Sequence, residues 1–124
     1  LRDLIEINRD ILSGVSLMSG RARAFKHLLQ WLIAGSRGGV NRARIIRALR
    51  DEPQNANQLT GVLEVDYRTI RHHIDVLAKN GIITSMGERY GVMFFLSSEM
   101  EENYPIFEEI WNKFGKKEKK NGEE

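Results

Sequence analysis

The segment formed by residues 66–80 limits what this chain can fold into more than any other part of its sequence. In a helix with 3.6 residues per turn, Ile70, Ile74 and Leu77 lie on one side and form an apolar stripe that has to be buried. Asp66 is a favoured residue at the start of a helix, and the segment ends with an asparagine followed by a glycine, which is typical of a helix terminus. The sequence therefore predicts an amphipathic helix here, packed against a larger core.

Two shorter helices precede this helix and two strands follow it. Asn41 and Asn55 are predicted to begin the shorter helices, because an asparagine side chain accepts hydrogen bonds from the free amides of a first turn. Apolar and β-branched residues predict strands at 82–86 and 91–96, joined as a hairpin. Three helices followed by a hairpin are the order of a winged helix-turn-helix domain, which we predict over residues 40–96.

Helical extensions are predicted on both sides of this domain. Residues 1–35 contain two apolar helical stretches, and residues 97–115 are predicted to form a C-terminal helix capped by Ser98. The charged residues 116–124 contain no apolar side chain and are expected to be disordered. The predicted fold class is mainly α with a small β-hairpin (α+β): a winged helix-turn-helix with N- and C-terminal helical extensions.

Composition excludes several classes of protein. A chain of 124 residues that is 41% hydrophobic and 29% charged fits one folded domain with extensions. Because the chain contains no cysteine, it has no disulfide scaffold, cysteine-ligated zinc site, iron–sulfur centre or thiol sensor. The three histidines lack a nearby third ligand, so we expect no metal site and no other cofactor.

The motifs of enzymes and membrane proteins are also missing. There is no Gly-rich phosphate loop, nucleophile elbow or set of convergent carboxylates, so we do not expect an enzyme. No apolar stretch approaches the roughly 20 residues that a membrane span needs. We therefore expect a cytoplasmic protein without a membrane span.

Positive charge is concentrated in the middle of the chain. Residues 36–96 contain 9 basic and 6 acidic side chains, and 8 of the 9 bases are arginines. Residues 97–124 contain 5 basic and 8 acidic side chains, and the net charge of the whole chain is only +2. A polyanionic partner is therefore expected to bind the middle segment.

The side of the amphipathic helix opposite its apolar stripe is mostly basic. A helix with such a face fits the major groove of duplex DNA, where arginine contacts guanine edges or the neighbouring phosphates. Side chains in the first turn are suited to phosphate oxygens. An ordinary solvated charged face is the alternative, and the sequence leaves it open. The candidate DNA-binding residues of this helix are Tyr67, Arg68, Thr69, Arg71, His72 and Lys79.

Further candidates lie outside that face. Arg89 and Tyr90, at the hairpin tip, are predicted to contact the DNA backbone or minor groove from a wing formed by residues 82–96, with an ordinary surface turn as the alternative. His73 flanks the apolar stripe and is predicted to pack in the core, with a backbone partner for a ring nitrogen. Three arginines of the first helix are predicted to form a solubilising face rather than phosphate contacts: Arg44, Arg47 and Arg50.

The middle segment resembles a known family. Residues 41–46, 57–59 and above all 69–83 are similar to the ArsR-like winged-helix transcription regulators, in particular to archaeal members whose recognition helix has the pattern Tyr-x-Thr-x-x-His-His. The resemblance covers residues 40–96. It implies sequence-specific binding of double-stranded DNA by a homodimer, with the third helix contacting bases and the hairpin acting as a wing.

Matched position by position, the resemblance also implies roles for single residues. It places Arg89 at the wing tip and His73 in the core. Two departures matter: the lack of cysteine excludes the soft-metal sensing of some members, and Glu64 stands where the turn before the recognition helix commonly has glycine. The resemblance implies base contacts by four residues: Tyr67, Arg68, Arg71 and His72.

The two helical extensions contain more apolar surface than the winged domain is expected to bury alone. They either pack on the domain of their own chain or form a two-fold dimer that presents two recognition helices to successive major grooves, and we favour the homodimer. The alternative function is a winged-helix module that binds protein in a larger assembly. Asp75 on the outer face favours that alternative, whereas the basic residues around it favour DNA.

Overall fold

Six α-helices and one two-stranded hairpin make up residues 19–122, the part of the chain that the computed structural model describes. This largely helical architecture with a small antiparallel hairpin confirms the predicted fold class. The helix predicted nearest the N-terminus lies outside the described residues. The elements are α1 (Gly20–Leu29), α2 (Gly39–Asp51), α3 (Ala56–Leu63), α4 (Tyr67–Lys79), β1 (Ile83–Met86), β2 (Met93–Leu96), α5 (Ser98–Glu102) and α6 (Tyr104–Gly122).

The helix-turn-helix unit of α3 and α4 is set by local hydrogen bonds. The Asn55 side chain accepts from the amide of Gln58 at 2.7 Å, and the Gln58 side chain accepts from the amide of Asn55 at 2.8 Å, which closes a capping box. Glu64 ends α3 in the left-handed conformation with φ 56°, the geometry for which glycine is commonly used. Asp66 then caps α4, as predicted.

The start of α2 was predicted wrongly. The helix begins at Gly39, after Gly38 in the left-handed conformation with φ 84°, rather than at Asn41. Gly38 is the N-cap, and the backbone of the first helical residue lies close to that of the preceding turn: a Cβ on Gly39 would lie 1.8 Å from the carbonyl oxygen of Ile33. Only glycine permits this approach, which joins α2 to the π-helical turn (Gln30–Ala34) that continues α1.

The wing is a short antiparallel hairpin. Its register pairs Ile83 with Leu96 and Met86 with Met93, and Gln54 adds an isolated bridge to Phe94 on the other edge of β2. Phe94 and Leu96 point into the core, whereas β1 is mostly exposed. The hairpin is therefore anchored to the domain through β2.

One core contains residues from the winged domain and from both flanking helices. Among the described residues, the large apolar side chains of both extensions therefore pack mostly on the domain of their own chain, whereas Trp31, on the π-helical turn, stays 57% exposed. Within residues 19–122, no helix combines the length and apolarity that crossing a membrane requires. The buried residues that the extensions contribute are Phe25, Leu29, Leu32, Ile33, Met100, Phe107 and Ile110.

The C-terminal region differs from its prediction in three respects. Ser97 rather than Ser98 is the capping residue, because its hydroxyl accepts from the amide of Met100 at 3.1 Å. The predicted single helix is broken at Asn103 into α5 and α6. The backbone of α6 stays helical to Gly122, over most of the stretch whose composition predicted disorder, because lysine and glutamate are strong helix formers.

Candidate DNA-binding surface

The two sides of α4 differ as the sequence predicts. Ile70, Ile74 and Leu77 are fully buried and fix the helix to the core. The opposite side is exposed to solvent, and it is formed by Arg68, His72, Asp75 and Lys79. At 100° per residue, these four side chains span only about 60° of the helix circumference, so they form one narrow exposed stripe.

The stripe runs along the whole of α4. Arg68 lies in the first turn, and Lys79, the last residue of the helix, lies about 16 Å further along the axis. His72 lies between them, and its ring contacts that of His73 with the centroids 5.2 Å apart. Three of the predicted candidates therefore share one surface, with Lys79 at the end remote from the turn.

Thr69 has a structural role at the start of α4. Its hydroxyl donates to Oδ1 of Asp66 at 2.7 Å, and its amide donates to Oδ2 at 3.0 Å. These two hydrogen bonds lower the pKa of Asp66, the side-chain bond contributing more. The carboxylate of Asp66 thus already lies at the positive end of the α4 dipole and offsets its charge. This makes the first turn less suited to a phosphate than the sequence predicted.

Three other candidates meet in a recess of about 200 Å³ between α3, α4 and the wing. Tyr67 and Arg71 come from α4, and Arg89 comes from the hairpin tip. Arg71 is half-buried; its Nη2 lies 2.9 Å from Oδ1 of Asp75, and its guanidinium carbon lies 5.9 Å from the ring centroid of Phe94. The other lining residues are Asn55, Ala56, Asn57 and Val92.

The hairpin tip is tighter than its two glycines suggest. Gly87 has φ 106°, and a Cβ there would lie 2.3 Å from the carbonyl oxygen of Gly91. Arg89, between them, has φ 49° and an exposed side chain. Its backbone is thus held in a left-handed conformation that is uncommon for arginine. The structure does not describe the side chain of Tyr90.

The arginines of α2 serve the fold more than a solubilising face. Nη2 of Arg44 donates to the carbonyl of Leu63 at 2.6 Å, where it satisfies the C-terminus of α3. The guanidinium of Arg50 lies 4.2 Å from the ring centroid of Tyr104, which attaches α2 to α6. Arg47, the third of them, is exposed, and within the described residues it makes neither a hydrogen bond to a carbonyl nor a contact with an aromatic ring.

Arg42, which was not among the sequence-based candidates, is a buried arginine beneath α4. Only 4% of it is exposed; Nε donates to the carbonyl of Leu32 at 2.9 Å, and Nη2 donates to the carbonyl of Arg37 at 2.7 Å and to the hydroxyl of Ser36. Burial lowers its pKa. The sequence contains a signal for this burial: Arg42 precedes the buried Ile45 and Ile46 by three and four residues, which places it on the same side of the helix.

His73 packs in the core as predicted and is 5% exposed, but its partner is different. The expected backbone contact is replaced by the guanidinium of Arg42, whose Nη1 lies 3.4 Å from Nδ1 of the imidazole. The pKa of His73 is lowered, mainly by burial and further by the positive charge of Arg42. The histidine is therefore neutral at pH 7 and can accept from the guanidinium.

These features define the class of this protein, a winged helix-turn-helix: α2, α3 and α4 followed by a hairpin, with one side of α4 free. A family described as a helix-turn-helix domain matches residues 41–85, from α2 into β1. No curated protein matches the chain significantly in sequence.

Several solved structures share the fold. HlyU from Vibrio cholerae N16961 is similar over 78% of this chain and 98% of its own, with 17% identity and a TM-score of 0.55. The oxidized form of MarR from E. coli is similar over 77% of this chain and 69% of its own, with 18% identity and a TM-score of 0.52. A MarR mutant from E. coli in complex with operator DNA matches over 84% of this chain and 76% of its own, at 16% identity and a TM-score of 0.52.

At these identities the neighbours establish the fold. Together with the matched domain family they support a DNA-binding transcription regulator, which is not a class of enzyme.

Proposed function

We propose that this protein is a sequence-specific transcription regulator that binds double-stranded DNA. In this proposal α4 lies in the major groove, and the wing of residues 82–96 lies on the backbone or in the minor groove. The observation that carries it is the exposed stripe containing Arg68, His72 and Lys79, opposite a side of α4 that is fixed in the core. A helix held in this way presents its outer side chains as a rigid set, which base recognition requires.

The finer assignment rests on resemblance. Residues 69–83 favour the ArsR-like group, of the archaeal type, within the winged-helix regulators. A regulator of this kind acts on chromosomal DNA in the cytoplasm, where we place it. Neither a metal nor another cofactor is needed for the proposed binding.

The test is a set of binding titrations at several salt concentrations. The probes are a genomic fragment selected for binding and a scrambled duplex of the same composition. Arg68→Ala should weaken binding to the selected fragment by about 1–3 kcal/mol, because Arg68 lies where a groove-bound helix meets base edges. The matched control is Arg23→Ala, which removes the same charge from an exposed position on α1.

The control separates specific from general electrostatic effects. Equal losses for Arg68→Ala and Arg23→Ala would mean that only net charge matters. Unchanged affinity for Arg68→Ala, with circular dichroism showing an intact fold, would contradict the placement of α4 in the groove.

We also propose that the protein acts as a homodimer. Trp31, 57% exposed on the π-helical turn, supports this, and so do Trp111 and Phe114, which are only partly buried on the adjacent α6. A symmetric contact covering these side chains would join two copies of the chain, each with its own α4. Sedimentation equilibrium should return twice the 14.3 kDa mass of the chain, and a single 14.3 kDa species at tens of micromolar would contradict the dimer.

A protein-interaction module is the second candidate. Asp75 on the outer stripe and the exposed Val62 and Met86 favour it, because a carboxylate repels the phosphates of DNA and exposed apolar side chains are suited to a protein partner. The titrations decide between the two: binding to neither duplex at low salt would favour the module.

A further inference from the structure

The recess between α3, α4 and the wing combines two arginines with an apolar floor. The positive groups are Arg71, from the middle of α4, and Arg89, from the hairpin tip. The recess has no acidic residue among the lining residues that the structure describes, and the carboxylate of Asp75, outside this lining, pairs with Arg71. The floor is formed by Ala56, Val92 and Phe94, of which Ala56 and Phe94 are buried.

The position of the recess on α4 distinguishes it from the exposed stripe. At 100° per residue, Arg71 is rotated by about 60° from Arg68 and by about 100° from His72. Tyr67, on the same flank, is rotated by about 100° from Arg68. When the stripe faces the floor of a major groove, this flank faces its wall, and the wall of the groove is the sugar–phosphate backbone of one strand.

The chemistry of the recess fits a backbone unit better than a base edge. Each of the two guanidinium groups supplies donors alone, and a single arginine already satisfies the two acceptors of a guanine edge, whereas a phosphate has enough acceptor oxygens for both arginines. A phosphate accepts from both arginines, and its attached deoxyribose can cover Val92 and Ala56. The volume of about 200 Å³ is several times the roughly 30 Å³ that one water occupies in the liquid, so a sugar–phosphate unit can enter.

Arg71 is also held in place for such a contact. Its Nη2 lies 2.9 Å from Oδ1 of Asp75, and the rest of its half-buried side chain lies beside Phe94. A guanidinium has five donors, so the Asp75 contact leaves others for a phosphate. The carboxylate on the outer stripe thus gains a role within a DNA-binding surface: it orients Arg71.

We infer that Arg71 and Arg89 bind the same phosphate of the DNA backbone. The recess is then a binding site for one phosphodiester, formed jointly by α4 and the wing. This inference rests on the proposed function. It replaces the sequence-based expectation that Arg71 contacts bases while Arg89 independently follows the backbone. Base recognition is left to the exposed stripe, chiefly to Arg68 and His72.

The first test is a double-mutant cycle on the full chain with the selected and scrambled duplexes. Arg71→Ala and Arg89→Ala should each weaken binding about tenfold on both duplexes. The double variant should lose far less than the roughly 100-fold expected of independent contacts, because both arginines act on one group. Arg71→Lys should retain most of the affinity, since lysine also binds phosphate but does not form a bidentate contact with guanine.

The second test neutralises single phosphates. Synthetic copies of the selected duplex each carry one methylphosphonate, which removes the charge of one backbone position. At one position the losses caused by Arg71→Ala and by Arg89→Ala should disappear together, and a methylphosphonate at a remote position should leave both unchanged. Inorganic phosphate, titrated into the free protein, should compete with DNA only weakly.

Three outcomes would overturn the inference. These are additive losses in the cycle, the disappearance of the two losses at different phosphates, or an Arg71 effect that is confined to the selected duplex. Tight, saturable binding of inorganic phosphate would instead assign the recess to a small anion. Failure of the proposed function is a different result, in which the unmodified protein binds neither duplex.

Discussion

The guanidinium of Arg42 lies 3.4 Å from Nδ1 of His73, and this contact joins the buried side of α2 to the buried side of α4. The other donors of Arg42 bond to carbonyls of Leu32 and Arg37, and no carboxylate pairs with it among the side chains that the structure describes. The buried positive charge is therefore stabilised by neutral acceptors. One of these acceptors is a titratable histidine.

The first prediction concerns pH. The pKa of His73 is lowered in the folded protein by burial and by the charge of Arg42, so below the ordinary value of about 6.5 the unfolded chain binds more protons than the folded one. The free energy of unfolding should hence be steady above about pH 6.5 and decrease as the pH falls through the lowered pKa. Urea unfolding at pH 7.5, 6.5 and 5.5 measures this.

Two histidine variants separate this effect from general acid sensitivity. His73→Gln keeps an acceptor for Arg42 and should remove the loss of stability between pH 6.5 and 5.5. His72→Gln, at an exposed position, should keep it. The assignment fails if both variants show the acid dependence of the unmodified protein.

The second prediction concerns Arg42 itself. Arg42→Ala should lower the free energy of unfolding by about 2–4 kcal/mol, because it leaves the carbonyls of Leu32 and Arg37 without their donor and opens a space under α4. Arg47→Ala, on the exposed side of the same helix, should change it by no more than about 0.5 kcal/mol. Urea unfolding at pH 7.5 compares them, and similar values for the two variants would show that the buried contacts contribute little.

The third prediction compares two helical glycines. Gly39→Ala should destabilise the protein by about 3 kcal/mol, near the upper end for overpacking, because its Cβ would lie 1.8 Å from the backbone oxygen of Ile33. Gly61→Ala, in α3, meets no atom within 4 Å and should stabilise the protein by about 0.5–1 kcal/mol through its helix propensity. Thermal or urea unfolding measures both. A change in the free energy of unfolding of the same sign for the two substitutions would refute the close approach.

The fourth prediction separates stability from DNA binding at the wing. Arg89 and Glu64 both have left-handed backbone, with φ 49° and 56°, which costs an L-residue about 1–2 kcal/mol. Arg89→Gly and Glu64→Gly should each be neutral or slightly stabilising. Only Arg89→Gly should weaken binding to every duplex and reduce the salt dependence by about one charge equivalent. A loss restricted to the selected duplex would mean that the wing contacts bases.

Interactions between near neighbours in sequence could be predicted without the tertiary structure. The buried stripe of Ile70, Ile74 and Leu77 follows from helical periodicity, and the caps formed by Asn55 and Asp66 follow from hydrogen bonds to amides three residues away. These features decide the order of helices and strands, and with it the winged fold and the exposed side of α4. The periodicity and the capping hydrogen bonds involve only residues close in sequence, which is why they could be predicted.

The tertiary structure decided what depends on residues distant in sequence. The helix α2 begins two residues before Asn41, and its first residue, Gly39, lies against the carbonyl of Ile33, a contact that the capping preferences of single residues do not predict. Arg71 and Arg89 belong to different elements, and only the packing of the hairpin against α4 brings both to one recess. Burial and contacts between charged side chains arise where distant chain segments approach each other in the folded protein. A helical or strand period specifies which side of an element is apolar, but it does not specify what covers that side.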